Sequence, residues 1–221
     1  MSKKVVLDPG HGVETAGKCS PDKTYYEHEF NLAMAELVAD HLRRHGVTVK
    51  QTRSTAYDVT LQNRVKITNA EASDLFVSLH SNASGDGTKW TTPRGYGVYT
   101  SASGATAGRN VAAKALLARA EEAGIKLWGD GLFHDISIYV LKNTNAPAIL
   151  IEHGFHTNKE EVELLKSVEY RAKLAAVDAK GILDYLGIAW VDEPATGAET
   201  PKETTCIRCP HCGGLLKIEK G

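Results

Sequence analysis

The chain has 221 residues, with 26 Lys+Arg against 27 Asp+Glu, 42% hydrophobic residues and 24% charged residues. These proportions exclude a collagenous, disordered or membrane-spanning protein, and a formal net charge of -1 offers no basic field to gather nucleic acid or anionic lipid. The length suits one soluble domain that buries its core without disulfide support, with about 20–40 residues to spare.

The opening segment, Met1 to Gly12, holds only Val5-Val6-Leu7 as an apolar run before Asp8-Pro9-Gly10-His11-Gly12. That run is too short for a secretory signal, so the protein is expected to be made and kept in the cytosol, without membrane insertion. Lys3 to Leu7 reads as a buried strand that a Pro-Gly turn ends, leaving His11 on a loop. Phe30 to His45 repeats apolar residues at helical spacing and stops at Gly46. Val47 to Thr52 alternates as a strand, Leu61 to Ala70 has a helical period, and Asp74 to Leu79 is an apolar strand delivering His80 and Asn82 to a loop. Gly95 to Thr100 is expected to be a strand, Thr106 to Ala123 a helix, and Ala146 to Ile151 a strand with Glu152 at its end. Leu164 to Leu186 holds one or two closing helices. This alternation predicts an α/β fold, a layered, mostly parallel sheet flanked by helices, followed by a short cysteine-containing tail. The predicted organisation is a catalytic domain over residues 1–189, a Pro/Thr/Glu-rich linker over 190–205 and a cysteine knuckle over 206–221.

A parallel sheet would bring His11, His80 and Glu152 to one edge, and Glu27, just before the first long helix, faces the same edge. Two imidazoles and one carboxylate suffice for a zinc site with an open position, where the metal lowers the pKa of water toward ~7. A second carboxylate that is not a ligand can then take the proton of that water and hand it to a leaving amine.

Five ordered segments carry a resemblance: VVLDPGHG (Val5 to Gly12), EHEFNLAMA (Glu27 to Ala35), LQNRVKITN (Leu61 to Asn69), DLFVSLHSNAS (Asp74 to Ser84) and PAILIEHGFHTN (Pro147 to Asn158). Together they resemble the zinc-dependent N-acetylmuramoyl-L-alanine amidases of the amidase-3 family, across roughly residues 3 to 187. The resemblance implies that His11, Glu27 and His80 are the ligands of one catalytic Zn2+ and that Glu152 is the catalytic carboxylate. It implies hydrolysis of the amide between the lactyl group of muramic acid and L-alanine, with bacterial peptidoglycan as partner. Glu29 lies two residues from Glu27, but Glu27 stands four before Asn31, the spacing of the family. His153 and His156 read as surface or groove residues. Arg64 reads as a structural ion pair, with substrate contact as the alternative; Asn82 would orient His80 or bind substrate, and His134 with Asp135 would line the groove. Cys19 is a lone thiol.

In the tail, Cys206, Cys209 and Cys212 form two overlapping C-x-x-C patterns beside His211, half of a zinc ribbon that ordinarily has a second knuckle ~15–20 residues away. A local second zinc, a homodimer joined through these cysteines, disulfides formed after release, and a remnant without a role all fit the pattern. The leading expectation is a phage endolysin, stored in the host cytoplasm and acting on the wall at lysis. The alternatives are a host autolysin of the same chemistry and a non-catalytic wall- or nucleic-acid-binding protein that uses the knuckle; no nucleic-acid partner is expected for the enzyme.

Overall fold

The structure, a computed structural model, describes residues 2–102 and 107–192, together with the backbone of 205–208 and 215–218. Side chains alternate along a strand, so each inner strand of this chain carries two apolar faces. In β1 (Lys4–Pro9), Val5 and Leu7 point one way and Val6 the other; β3 (Leu75–Asn82) divides Leu75, Val77 and Leu79 from Phe76, and β6 (Ala148–Phe155) divides Ile149 and Ile151 from Leu150. Helices cover both faces. Phe30, Met34 and Val38 of α1 (Glu27–Arg44), Leu116 of α3 (Gly108–Glu122) and Leu174 and Ile182 of α6 (Val168–Leu186) close the larger core, to which α5 (Lys159–Lys166) adds Val162 and Leu165. Val65 of α2 (Leu61–Ala70) and Val140 and Leu141 of α4 (Tyr139–Asn143) close the smaller one. Helices α3 and α6 approach so closely that a Cβ at Gly181 would stand 2.6 Å from the Leu116 Cα.

With β2 (Thr48–Gln51), β4 (Tyr96–Thr100) and β5 (Leu127–His134), the strands form one sheet in the order β2-β1-β3-β6-β4-β5. All neighbours are parallel except β4 and β6. The fold class expected from the sequence is therefore the one observed, but three local expectations change. First, β3 runs through Asn82 and β6 through Phe155, so His80, Asn82 and Glu152 lie in strands and not on loops. Their apolar runs end earlier, yet the backbone ladder continues past them, with a register shift between His80 and Asn82. Second, β5 and α4 were not legible: LWGDGLFH is an edge strand interrupted by two glycines, and α4 has five residues, too few to show a period. Third, α1 begins at Glu27, three residues before its first apolar anchor, with Glu27 and Glu29 in the first turn where the helix dipole favours acids.

The chain divides into two units, Met1–Trp190 and Val191–Gly221. Trp190, expected as the first residue of the linker, belongs to the first unit: it stacks on the ring of His45, with Lys180 Nζ 5.0 Å from its centroid. In the second unit, β7 (Thr205–Arg208) pairs antiparallel with β8 (Leu215–Ile218). Cys209, His211, Cys212 and the side chain of Cys206 lie outside the described residues. No helix among those described is long and apolar enough to cross a membrane.

The sheet edge is tied together by a buried charge pair. Asp8, 1% exposed, accepts hydrogen bonds from Arg64 Nη1 at 2.6 Å, Thr52 Oγ1 at 2.5 Å and Ser78 Oγ at 2.7 Å. Arg64, 2% exposed, spends its remaining donors on Asp58 and on the carbonyls of Pro9, His11 and Val59. Burial alone would raise the Asp8 pKa, but the Arg64 charge and the two hydroxyls outweigh it and hold the carboxyl below its ordinary value. A carboxyl depressed in the folded state contributes stability above the unfolded value near ~3.9 and loses it as pH falls through the folded value. In metal-free protein, Asp8→Asn is expected to cost about 3 kcal/mol at pH 7, toward the lower end for an unpaired buried charge because Asp58 still faces Arg64. Thermal melts from pH 7 to pH 2 should show the difference from wild type persisting to about pH 4 and shrinking below it; a constant difference down to pH 2 would contradict this role for Asp8.

Candidate metal centre

The register of the sheet explains how distant residues meet. Parallel pairing of β1 with β3 sets Asp8 beside Ser78 and Pro9 beside Leu79, and pairing of β3 with β6 sets His80 beside Glu152. Past Pro9, the Gly10 N–H still bonds the Leu79 carbonyl, and His11 follows in the left-handed region with φ 57°. Gly10 is required for steric reasons: a Cβ there would lie 2.1 Å from the His80 ring. The absent side chain lets the two imidazoles come together edge to face, with centroids 4.8 Å apart.

Glu27 reaches the same place from the first turn of α1. Its Oε1 lies 2.9 Å from His80 Nδ1 and 3.5 Å from His11 Nε2, and it accepts the Ser81 N–H at 3.1 Å. One ligand atom from each of His11, Glu27 and His80 falls within 4.8 Å of the others. Glu27 is 1% exposed, and its Oε2 has no hydrogen-bond partner. A buried carboxylate that faces the imidazoles of His11 and His80, with His156 Nδ1 4.0 Å from its Oε2 and, among the described residues, no Lys or Arg ion pair, matches the donor chemistry of zinc. Glu29, two positions along the helix, is exposed and outside this cluster.

Two carboxylates in this region are driven in opposite directions. Burial would raise the Glu27 pKa, but hydrogen bonds and charge from His11 and His80 outweigh it, and the carboxyl is held well below its usual range. Glu152 is pushed well above its range by burial and then by the negative charge of Glu27, with partial relief from Lys18. Its Oε2 is enclosed without a partner. Burial also lowers the His80 pKa, against the pull of Glu27.

Other residues singled out in the sequence fall into place differently. Arg64 has all five N–H donors engaged within the protein, so the structural reading applies and no donor is left for a substrate. Asn82 makes no hydrogen bond to the His80 ring; its Oδ1 accepts the Ala83 N–H and its carbonyl accepts the His156 N–H. His134 is not brought to the cluster. It sits at the end of β5 beside Thr100, and because β4 and β5 run opposite to β6, that end lies away from Glu152. His153 and His156, expected at the surface or in the groove, are each 1% exposed. His153 has Nδ1 2.8 Å from the His80 carbonyl and Nε2 2.8 Å from Asp178 Oδ2, while Tyr96 Oη donates to Asp178 Oδ1. His156 Nδ1 lies 3.0 Å from Ser81 Oγ, which accepts a bond from Tyr25 Oη. Sequence reasoning missed Ser78, Ser81, Tyr25 and Asp178. Ser78 alone carried a signal, since it precedes His80 by two in a strand and must share its face.

Two hollows lie in this part of the molecule, and only the second is lined by cluster residues. One of about 370 Å³ lies between residues 13–19 and the start of α1, with Lys18 and Tyr26 on its wall; another of about 230 Å³ is bounded by His11, His80, Asp58 and Leu61.

Residues 5–184 match the family described as N-acetylmuramoyl-L-alanine amidase. The chain is 36% identical to the endolysin of Bacillus phage SPP1 over 92% of its own length and 72% of that protein. It is 29% identical to the N-acetylmuramoyl-L-alanine amidase AmiA of Escherichia coli K12, over 85% of this chain and 77% of that one. Among solved structures, the catalytic domain of CwlV, an N-acetylmuramoyl-L-alanine amidase from Bacillus (Paenibacillus) polymyxa var. colistinus, aligns with a TM-score of 0.74 at 31% identity, covering 85% of this chain and 99% of that one. A match over most of the chain, on a fold that assembles His11, Glu27, His80 and Glu152 at one sheet edge, makes this protein a member of the amidase-3 family of N-acetylmuramoyl-L-alanine amidases.

Proposed function

We propose that this amidase holds zinc through His11, Glu27 and His80 and uses Glu152 for proton transfer while it cleaves the lactyl–L-alanine amide of peptidoglycan. The observation that carries the reading is the His–Glu–His cluster with Glu152 beside His80 in the β3–β6 ladder. When bound, zinc supplies Lewis acidity toward a carbonyl oxygen and lowers the pKa of water toward ~7. Glu152, its basicity raised by its surroundings, takes a proton from the attacking water. The water oxygen bonds to the lactyl carbon, the C–N bond breaks, and Glu152 returns the proton to the alanine nitrogen. The products are a lactyl carboxylate and a peptide with a free amino terminus.

The biological role that fits is that of a phage endolysin, made in the host cytoplasm and acting on the wall at lysis. The likeness to the Bacillus phage SPP1 endolysin supports it.

Digestion of purified peptidoglycan is expected to expose new N-terminal alanine. Glu152→Gln should lower the rate by about 10²–10⁴-fold, the usual worth of positioned acid–base catalysis. Release of reducing sugar without alanine amines would reject the amidase chemistry. Chelation of the full-length protein should abolish turnover and one equivalent of zinc should restore it, whereas His80→Ala should not respond to that equivalent. Activity that survives exhaustive chelation would reject the metal assignment.

A further inference from the structure

Glu27 and His11 account for one side of the His80 ring; the other side is built as carefully. His80 Nε2 lies 3.1 Å from Ser78 Oγ, and Ser78 Oγ donates to Asp8 Oδ2 at 2.7 Å. Ser78 is fully buried and Asp8 is 1% exposed, so this chain of contacts is shielded from competing water. Its polarity follows from donor and acceptor counting. An ionised carboxylate only accepts, so the single hydroxyl proton of Ser78 is committed to Asp8 and the hydroxyl offers a lone pair to the ring. Nε2 must then carry a hydrogen with or without metal, so Nδ1, 2.9 Å from Glu27 Oε1 on the side where the ligand atoms gather, is the nitrogen left to give its hydrogen up to a cation.

We infer that Asp8 and Ser78 are positioning residues, which fix the orientation and tautomer of His80 so that Nδ1 is the nitrogen presented to the metal. This deepens the function proposed above and rests on it. Three features support a dedicated device over incidental packing. Ser78 and His80 are two apart on β3 and so share a face, while the β1–β3 register sets Asp8 directly beside Ser78. Asp8 is itself kept charged and immobile by Arg64 and Thr52, so it cannot take the Ser78 oxygen as an acceptor. Gly10 clears the space the ring occupies, and the His153 Nδ1 holds the His80 carbonyl at 2.8 Å, so backbone and ring are restrained separately. Histidine ligands generally donate their second N–H to a carboxylate, carbonyl or water; here a serine carries that function to a carboxylate one residue further away.

The test is zinc affinity, measured on the full-length protein by competition with a chromophoric chelator. Loss of an outer partner of a ligating histidine typically weakens metal binding about 10–100-fold, and that loss is expected for Ser78→Ala. Ser78→Cys should weaken binding to a similar degree, because a thiol of nearly the same shape is a poor acceptor; a packing role would be preserved by it. Zinc affinity equal to wild type in both variants overturns the inference. A measurement on the unaltered, zinc-loaded protein stands beside these in case a variant does not fold: two-bond ¹H–¹⁵N correlation of the imidazoles should show His80 as the Nε2–H form, and an Nδ1–H form overturns the inference. Failure of the underlying metal assignment would look different, since wild type and His80→Ala would then bind zinc alike.

Discussion

A carboxylate buried under a sheet edge stays charged only if the surrounding protein replaces its water. For Asp8 that replacement comes from three directions: Arg64 from α2, Thr52 just beyond β2, and Ser78 from β3. Each partner belongs to a different segment, so satisfying one charge joins strands β1 and β3, the end of β2 and helix α2 at the place where the loop bearing His11 departs. Arg64 extends the tie to the carbonyls of Pro9 and His11 and to Asp58. The loop bearing His11 is therefore anchored by backbone acceptors, and the left-handed His11 is held by its neighbours in a conformation that a histidine on a free loop seldom adopts.

The same edge separates two glutamates by environment. Glu27 is enclosed among imidazoles and the Ser81 N–H, which favour its charge; Glu152 is enclosed with little but the field of Glu27 and a distant lysine. One carboxylate is suited to bind a cation and the other to accept and release a proton, although both are the same chemical group. Their different environments depend on the β3–β6 register, which brings Glu152 beside His80, where it has no ion-pair partner among the described residues. Behind them, the His153–Asp178 pair and the Tyr96 hydroxyl connect β6 to α6 and reach the His80 carbonyl, so the core helix is coupled to β3 by polar contacts as well as apolar packing.

Much of this was legible in the sequence. Short apolar runs located β1, β3 and β6, and a chemically capable residue follows each run, His80 and Glu152 at once and His11 after a Pro-Gly turn. The helical spacing through Phe30, Met34 and Val38 located α1 and showed that Glu27 precedes its apolar face. What escaped were features without a local pattern: β5, whose glycines and polar residues break any run; the burial of His153 and His156, each 1% exposed despite polar side chains; and the place of His134. Alternation identifies a strand but says nothing of its direction, and the reversed run of β4 and β5 is what takes His134 away from the edge where Glu152 lies.

By itself, then, the sequence determined which residues follow the apolar runs of the strands and which chemistry they could perform, because those depend on apolar pattern and residue type within a dozen neighbours. Only the tertiary structure decided that Arg64 meets Asp8 across 56 residues, that Ser78 stands between Asp8 and His80, and that two glutamates of equal intrinsic acidity are driven apart. Those outcomes depend on strand register and on the exclusion of water, and neither is written in any short stretch of chain.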